Sequence, residues 1–190
     1  MFNIPCVIFA GGRSSRMGED KALLPFANSK TLTQHQLQKL QKLFKNVYIS
    51  CKSKDKFDFE ANFIEDIPTE NIFAPTTGFV AIFKELACDS FFAISVDMPF
   101  ISKNEIEKII SFQNPHAKAV IAKTKQGIQP MCGIYYRALE NDFKTMLTNN
   151  NHKLGFLLKN SDTVYVDFKD ERAFFNLNNP DEYKEALTLV

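Results

Sequence analysis

The chain has 190 residues, a length that suits one α/β domain with a substantial hydrophobic core. Its hydrophobic fraction of 45% and charged fraction of 24% are ordinary for a soluble globular protein. The formal net charge is +1, so no basic surface field predicts binding to nucleic acid or to a membrane. Any recognition of an anion must therefore be local, and we expect a single domain over residues 1–190.

The N-terminus and the cysteines predict the compartment. Residues 1–5 lead directly into a strand-like run without the charged and apolar regions of a leader, and no apolar stretch approaches the length of a membrane span. The four cysteines lie far apart in or beside apolar runs, which favours reduced, mostly buried thiols over a disulfide framework or a zinc site. These are Cys6, Cys51, Cys88 and Cys132. The three histidines share no ligand spacing and are predicted to be surface residues: His35, His116 and His152. We expect a cytoplasmic protein.

Apolar runs of strand length alternate with helix-length patterns along the whole chain. This alternation is typical of a mostly parallel sheet with helices on both faces, so the predicted fold is a three-layer α/β/α sandwich. Strands are predicted at residues 6–9, 47–50, 63–64, 91–96, 119–122, 132–136 and 164–166. Helices are predicted at residues 31–44, 77–87, 138–147, 154–158 and 179–189, with another beginning after Ser102. Residues 127–130 are predicted as a turn or an edge segment.

The first strand runs into a loop, residues 10–21, with the sequence A-G-G-R-S-S-R-M-G-E-D-K. Its glycines let backbone N–H groups approach a bulky anion without interference from a Cβ atom. Arg16 and Lys21 follow at once and could neutralise that anion, for which phosphate is the obvious candidate. The loop is therefore predicted to bind phosphate.

Two common phosphate motifs do not fit this loop. The spacing of Gly11, Gly12 and Gly18 differs from the G-x-G-x-x-G of dinucleotide-binding proteins. In the P-loop a hydroxyl residue follows the lysine and binds Mg²⁺, whereas Ala22 follows Lys21 here. The sequence supports neither a dehydrogenase nor a P-loop NTPase.

Two carboxylates follow predicted strands and are placed to join the loop. In parallel α/β sheets, ligands bind beyond the carboxyl ends of the strands, where Asp66 and Asp97 are expected. Asp97 ends a continuous apolar run and suits a hard cation such as Mg²⁺ held against phosphate oxygens. Its alternative role as a helix cap is less favoured, because Ser102 already has the form of a capping box with Glu105.

With these residues in place, the sequence resembles the molybdenum cofactor guanylyltransferases, which belong to the GT-A-like nucleotidyltransferases. The resemblance rests on residues 10–21 followed by Leu23-Leu24-Pro25, on Ile64-Glu65-Asp66, on Asp97-Met98-Pro99-Phe100, and on the F-N-L-N-N-P of residues 175–180. The A-G-G form of the loop with Asp20-Lys21 points to the guanylyl branch. The family's fold implies a Rossmann-like nucleotide-binding sheet.

The resemblance also implies roles for individual residues. GTP contacts are implied for Phe9, Ala10, Gly11, Gly12, Lys21, Ser50, Asp66 and Asp97. Asp97 is the implied Mg²⁺ ligand, and we hypothesise that Arg16 and Lys21 offset the negative charge that develops on pyrophosphate. Asn176 and Asn178 match a segment beside the acceptor site, although turn and cap residues would carry the same pattern. The implied substrates are GTP and a molybdopterin-type cofactor, with transient contact to proteins that deliver the molybdenum cofactor.

Two departures from the family pattern bear on the choice of base. Ser50 stands where the family usually has an asparagine, and the family's G-P-L-A-G segment is A-P-T-T-G at residues 74–78. The alternatives are a sister enzyme that uses CTP on the same pterin or an NTP on a sugar or alditol phosphate. A nucleotide-binding protein without catalysis is a further alternative, but the presence of both Lys21 and Asp97 argues against it.

Overall fold

The computed structural model describes residues 1–12, 14, 17–68 and 74–190. Its strands form one seven-stranded sheet in the order β3-β2-β1-β4-β6-β5-β7. The strands are β1 (Cys6–Phe9), β2 (Val47–Cys51), β3 (Asn62–Glu65), β4 (Ser90–Ser95), β5 (Ala119–Thr124), β6 (Gly127–Tyr136) and β7 (Thr163–Asp167). The α-helices are α1 (Leu32–Gln41), α2 (Pro75–Glu85), α3 (Lys103–Ser111), α4 (Glu140–Thr148), α5 (Leu154–Lys159) and α6 (Pro180–Leu187).

The sheet is mostly parallel, as predicted. Strand β1 pairs in parallel with β2 and β4, β2 with β3, and β5 with β7. Strand β6 is the exception, since it runs antiparallel to both β4 and β5. The four strands β1 to β4 therefore end at one edge of the sheet.

Helices cover both faces, which confirms the predicted three layers. Alternate residues of β1 point to opposite faces, because successive side chains of a strand alternate. Cys6 and Ile8 pack with residues of α1, α3 and α6, whereas Val7 and Phe9 pack with residues of α2, α4 and α5. Each face thus has its own hydrophobic core.

Several helix starts follow from their caps. Thr31 Oγ1 accepts a hydrogen bond from Gln34 N and caps α1, and Ser102 forms the predicted capping box with Glu105 at α3. Asn179 Oδ1 accepts from two backbone N–H groups at the start of α6. Side-chain caps therefore fix three of the helix starts that the sequence predicts.

Of the two alternatives predicted for residues 127–130, the turn is wrong, whereas an edge segment fits, because among the described residues this segment pairs only with β5. Gly127–Tyr136 forms one continuous strand that includes Pro130, although proline lacks a ladder donor. The pairing of β5 with β6 shifts register between Ile121 and Lys123, and this irregularity lies where Pro130 faces β5. Helix α2 also begins at Pro75, two residues before the predicted start, because proline suits the first helical position.

The four cysteines are free thiols, and Cys6, Cys51 and Cys132 are buried while Cys88 is half-buried. Two histidines predicted to lie at the surface are half-buried: His35 packs edge-on against Phe26, and His152 contacts Thr76 Oγ1 through its Nδ1 atom. In the described part of the chain, no helix combines the length and the apolar character needed to cross a membrane.

Candidate nucleotide site

The carboxyl ends of β1, β2, β3 and β4 meet around one cleft. Phe9 is the register partner of both Ser50 and Ser95, so the segments that follow these strands start side by side. The cleft is lined by Phe9, Gly11, Gly12, Lys21, Ser50, Asp66, Ala74, Pro75, Ser95, Val96, Asp97 and Met131. The glycine loop, Asp66 and Asp97 thus line the same cleft, as the sequence predicts.

Lys21 and Asp97 form the ionic centre of the cleft. Lys21 lies in a short 3₁₀ helix, Lys21–Leu23, and its Nζ atom contacts the Asp97 carboxylate directly. The two side chains are 16% and 12% exposed, which limits screening of their attraction by water. Lys21 Nζ also donates to the carbonyl oxygen of Leu177 at 3.4 Å. One ammonium therefore joins the strand-end carboxylate to the segment that precedes α6.

Asp66 is held at the other side of the cleft by two hydroxyl groups. Ser50 Oγ donates to Asp66 Oδ1 at 2.8 Å, and Thr77 Oγ1 lies 3.3 Å from Oδ2. Burial raises the pKa of the Asp66 carboxyl above its usual value, while the two hydroxyl contacts and the nearby Lys52 and Lys56 ammonium groups oppose that rise. The hydroxyl contacts thus favour the charged form and fix its orientation.

Close approach of α2 to this carboxylate requires a glycine. A Cβ atom at Gly78 would lie 2.6 Å from Ser50 Oγ and 3.1 Å from Asp66 Oδ1. At Gly11 a Cβ would lie 3.0 Å from Asp66 Oδ2. Asp66 is therefore packed between the glycine loop and the first turns of α2.

Lys56 contacts both ends of the glycine loop. Its Nζ atom donates to the carbonyl oxygen of Ala10 at 2.9 Å and to Asp20 Oδ2 at 2.7 Å. Asp20 in turn accepts from Ala22 N and caps the 3₁₀ helix that carries Lys21. Both ends of the loop are thereby tied to one ammonium group.

Two side chains of α1 hold the segment after Asp97. Gln36, which is buried, donates through Nε2 to the carbonyl of Met98 at 2.9 Å, and Lys39 Nζ donates to the carbonyl of Pro99 at 2.6 Å. Burial lowers the pKa of Lys39 to about 8. These contacts restrain the backbone on the far side of Asp97.

The predicted acceptor residues lie beside the ionic centre and outside this cleft. Leu177 N donates to the carbonyl of Asp97 at 3.0 Å, so the segment of residues 176–178 is fixed against it. Asn176 and Asn178 line a neighbouring cavity. The helix cap is Asn179, so neither of these asparagines serves as the cap of α6.

The structure therefore groups most of the predicted site residues. Seven line the cleft: Phe9, Gly11, Gly12, Lys21, Ser50, Asp66 and Asp97. Ala10 is buried and does not line the cleft; its N–H group donates to the carbonyl of Ser50, and its own carbonyl accepts from Lys56 Nζ. Arg16 lies outside the described residues.

Sequence reasoning missed the supporting side chains. Lys56 lies in a charged segment to which no chemistry was assigned, and Gln36 and Lys39 belong to an ordinary amphipathic helix. No local motif distinguishes them, because their partners lie between 36 and 62 residues away along the chain.

Among the described residues, no group of three or more His, Cys, Asp or Glu side chains is placed to hold a metal ion. A cation in this cleft would therefore depend on Asp97 and on oxygen atoms of the ligand. That donor set fits Mg²⁺, which proteins commonly bind through one or two carboxylates and substrate phosphates.

Comparison with known proteins identifies the family. The family model described as "MobA-like NTP transferase domain" matches residues 6–164. A molybdenum cofactor guanylyltransferase of Campylobacter jejuni subsp. doylei is 40% identical over 180 residues, which cover 95% of this chain and 93% of that protein. The enzyme of the same name from Helicobacter pylori P12 is 30% identical, with 99% and 94% covered.

Solved structures share the fold. A molybdopterin-guanine dinucleotide biosynthesis protein A from Archaeoglobus fulgidus superimposes with a TM-score of 0.82 at 20% identity, covering 98% of both chains. A Mycobacterium tuberculosis protein, Rv0371C, in complex with manganese gives a TM-score of 0.69 at 13% identity, also covering 98% of both chains. The chain is a nucleotidyltransferase that belongs to the MobA-like NTP transferase family, among the molybdenum cofactor guanylyltransferases.

Proposed function

We propose that residues 1–190 form one nucleotidyltransferase domain that transfers GMP from GTP to the phosphate of a molybdopterin-type molybdenum cofactor. Pyrophosphate is released, and the product is the guanine dinucleotide form of the cofactor. The observation that carries the proposal is the convergence of Lys21, Asp97 and Asp66 around one cleft at the carboxyl edge of the sheet. Names of the relatives support the choice of substrates.

The charges on the cleft divide it into a phosphate end and a nucleoside end. Lys21, beside the glycine loop, is the cation that would contact phosphate. Asp66 lies at the other side, and its carboxylate would accept hydrogen bonds from N–H or O–H donors of the guanosine moiety. The triphosphate would extend from Asp66 past Gly11 and Gly12 towards Asp97.

A divalent cation is part of the proposal because of charge balance. Lys21, Asp66 and Asp97 are the charged residues among the described lining of the cleft, and one cation with two carboxylates leaves a charge of −1. Such a lining would repel a triphosphate unless further positive charge is present. Mg²⁺ held by Asp97 and phosphate oxygens would screen the phosphates and draw charge from the leaving group.

The residues of the chain would align the two substrates. An oxygen of the acceptor phosphate attacks the α-phosphorus of GTP, and the bond from that phosphorus to the β-phosphate oxygen breaks. The acceptor oxygen is already a nucleophile near neutral pH, so the step needs no Ser-His-Asp or Cys-His arrangement. Lys21 would offset the charge that develops on pyrophosphate, as would Arg16. Asn176 and Asn178 would contact the acceptor.

The test is incubation of the purified protein with a molybdopterin-loaded acceptor, Mg²⁺ and each labelled NTP in turn, followed by identification of the nucleotide product. We expect a guanine dinucleotide from GTP, and chelation of Mg²⁺ should abolish its formation. Preferential product formation from CTP or UTP would contradict the guanylyl assignment. GTP binding without release of pyrophosphate would instead indicate a binding protein. In the cell we expect a cytoplasmic enzyme in transient contact with cofactor delivery proteins.

A further inference from the structure

The first turn of α2 carries a buried hydroxyl group whose partner lies on a different part of the chain. Thr76 follows Pro75, which lines the cleft. The next residue, Thr77, contacts Asp66. Thr76 is fully buried, and its Oγ1 atom lies 2.6 Å from Nδ1 of His152. Because buried hydroxyl groups need a hydrogen-bond partner, a threonine at this position depends on the histidine.

The turn that follows α4 holds His152 in one orientation. Nε2 of its imidazole lies 2.8 Å from Asn150 Oδ1. With that oxygen as acceptor, the imidazole proton is on Nε2, and Nδ1 is the acceptor for the Thr76 hydroxyl group. Asn150 adopts a φ of 50°, a left-handed conformation that asparagine tolerates, and Asn151 N donates to the carbonyl of Met146 at 2.9 Å. Backbone geometry and one side-chain contact thus direct the ring towards α2.

The body of α2 is anchored independently of this contact. The ring of Phe79 stacks on that of Phe143 in α4, with centroids 4.2 Å apart and an angle of 4° between the planes. At the start of the helix, by contrast, the N-cap residue Ala74 forms no side-chain hydrogen bond. The first turn relies instead on the hydroxyl groups of Thr76 and Thr77, which contact other elements. Loss of the Thr76 contact should therefore displace the first turn and leave the body of the helix in place.

Resting on the proposed function, we infer that His152 is a positioning residue for the nucleotide. Through Thr76 it holds the first turn of α2 at the nucleoside end of the cleft, where Pro75 is part of the wall. The same turn carries the Thr77 hydroxyl group that contacts the Asp66 carboxylate. His152 is not among the described residues that line the cleft, so it acts through the helix and not by direct contact with the nucleotide.

The phosphate end of the cleft is held by other elements. Lys21 lies on the 3₁₀ helix, and its partner Asp97 follows β4. Gln36 of α1 restrains the backbone after Asp97. Loss of the His152 contact should therefore raise both the Kd and the KM for GTP, while kcat at saturating GTP stays near the wild-type value.

Isothermal titration with GTP and Mg²⁺ tests the inference without requiring turnover. One neutral hydrogen bond is worth up to about tenfold in an equilibrium constant, so His152→Ala and Thr76→Val should each weaken GTP binding by about threefold to tenfold. His116→Ala, the same change at an exposed histidine, should bind GTP as the wild type does. His152→Asn should recover most of the affinity, because its Oδ1 atom can accept from Thr76 in place of Nδ1.

A double variant and a stability measurement separate positioning from a purely structural role. His152→Ala combined with Thr76→Val should weaken binding no more than the stronger single change, because both changes remove the same contact. Urea denaturation of the same variants measures the free energy of unfolding. Lower stability with wild-type GTP affinity would overturn the inference, as would additive losses of affinity in the double variant or a lower kcat with an unchanged KM. A wild type that binds GTP but forms no guanine dinucleotide would instead refute the proposed function.

Discussion

Gly78→Ala tests how closely α2 must approach Asp66, and Gly155→Ala is its matched control. Gly78 is the fourth residue of α2 and Gly155 the second residue of α5, and in a helix interior alanine is favoured over glycine by about 0.8–1 kcal/mol. A Cβ at Gly155 would meet Ile128 Cδ1 at 3.8 Å, which is an ordinary contact. We therefore expect Gly155→Ala to raise the free energy of unfolding by about 0.5–1 kcal/mol.

At Gly78 the same methyl group would collide with the carboxylate support. Its Cβ would lie 2.6 Å from Ser50 Oγ and 3.1 Å from both Asp66 Oδ1 and Phe9 Cε1. Ser50 is 1% exposed, so its hydroxyl can avoid the methyl group only by leaving Asp66. Overpacking of this kind costs about 1–3 kcal/mol, and the helix propensity offsets about 1 kcal/mol of it. The net loss of stability should be about 0–2 kcal/mol.

Gly78→Ala should also weaken nucleotide binding. A hydrogen bond to a charged group contributes about 1.5–3 kcal/mol, so losing the Ser50–Asp66 bond should weaken GTP binding by about tenfold or more. Urea denaturation measures the stability of both variants, and isothermal titration with GTP and Mg²⁺ measures the affinity. If Gly78→Ala gained as much stability as Gly155→Ala and bound GTP as the wild type does, the close packing of α2 on Ser50 would be refuted.

Three lysines give further predictions. Lys21→Ala should lower kcat by about 10²–10³ with an unchanged circular dichroism spectrum, because one contact to developing charge is lost; near-normal turnover would remove Lys21 from the mechanism. Lys56→Met should raise the KM for GTP about tenfold, because the glycine loop loses the contact of Lys56 with Ala10. Lys54→Met, an exposed change in the same short helix, should leave the KM unchanged. Equal effects of the two changes would contradict a role of Lys56 in holding the loop. For Lys39, the folded-state pKa of about 8 lies below the ordinary 10.5, so between these pH values the unfolded chain holds a proton that the folded chain does not. The free energy of unfolding should therefore rise by about 3 kcal/mol from pH 8 to pH 10.5 relative to Lys39→Met, and a flat difference in urea denaturation would show that Lys39 keeps its ordinary pKa.

The architecture was predictable because each strand and helix left a local pattern. The continuous apolar run before Asp97 indicated a strand buried on both faces, and β4 lies fourth among seven strands, between β1 and β6. Once the strands were parallel, their carboxyl ends had to share an edge, so Asp66 and Asp97 were expected near the glycine loop. Local patterns did not predict that Pro130 lies within a strand. A register shift in the pairing of β5 with β6 allows proline there, and no local signal marks such a shift.

The orientation of the site residues was not predictable, because long-range contacts set it. Thr77 resembled a residue in the first turn of a helix, yet its hydroxyl group contacts Asp66, and that contact depends on how α2 packs on β2 and β3. Ser50 was read as a shortened substitute for asparagine. In the structure its small side chain leaves room for α2, and Gly78 on that helix has the matching absence of a side chain. Ser50 and Gly78 are thus complementary in size, a relation that neither position reveals alone.

The net charge of the chain is only +1, yet three lysine ammonium groups lie around the proposed polyphosphate site and hold its backbone segments in place. Lys21, Lys56 and Lys39 donate to the backbone carbonyls of Leu177, Ala10 and Pro99, respectively, and so restrain three segments around the cleft. The Lys21 and Lys56 ammonium groups are also paired with carboxylates, so the unliganded site carries little uncompensated positive charge. A triphosphate must then compete with Asp97 for Lys21. Because a divalent cation on Asp97 would weaken that carboxylate's hold on the ammonium, binding of the cation and release of Lys21 towards phosphate should be coupled. The affinity for GTP should therefore depend more strongly on Mg²⁺ in the wild type than in Asp97→Asn, as titrations with GTP at several Mg²⁺ concentrations would measure.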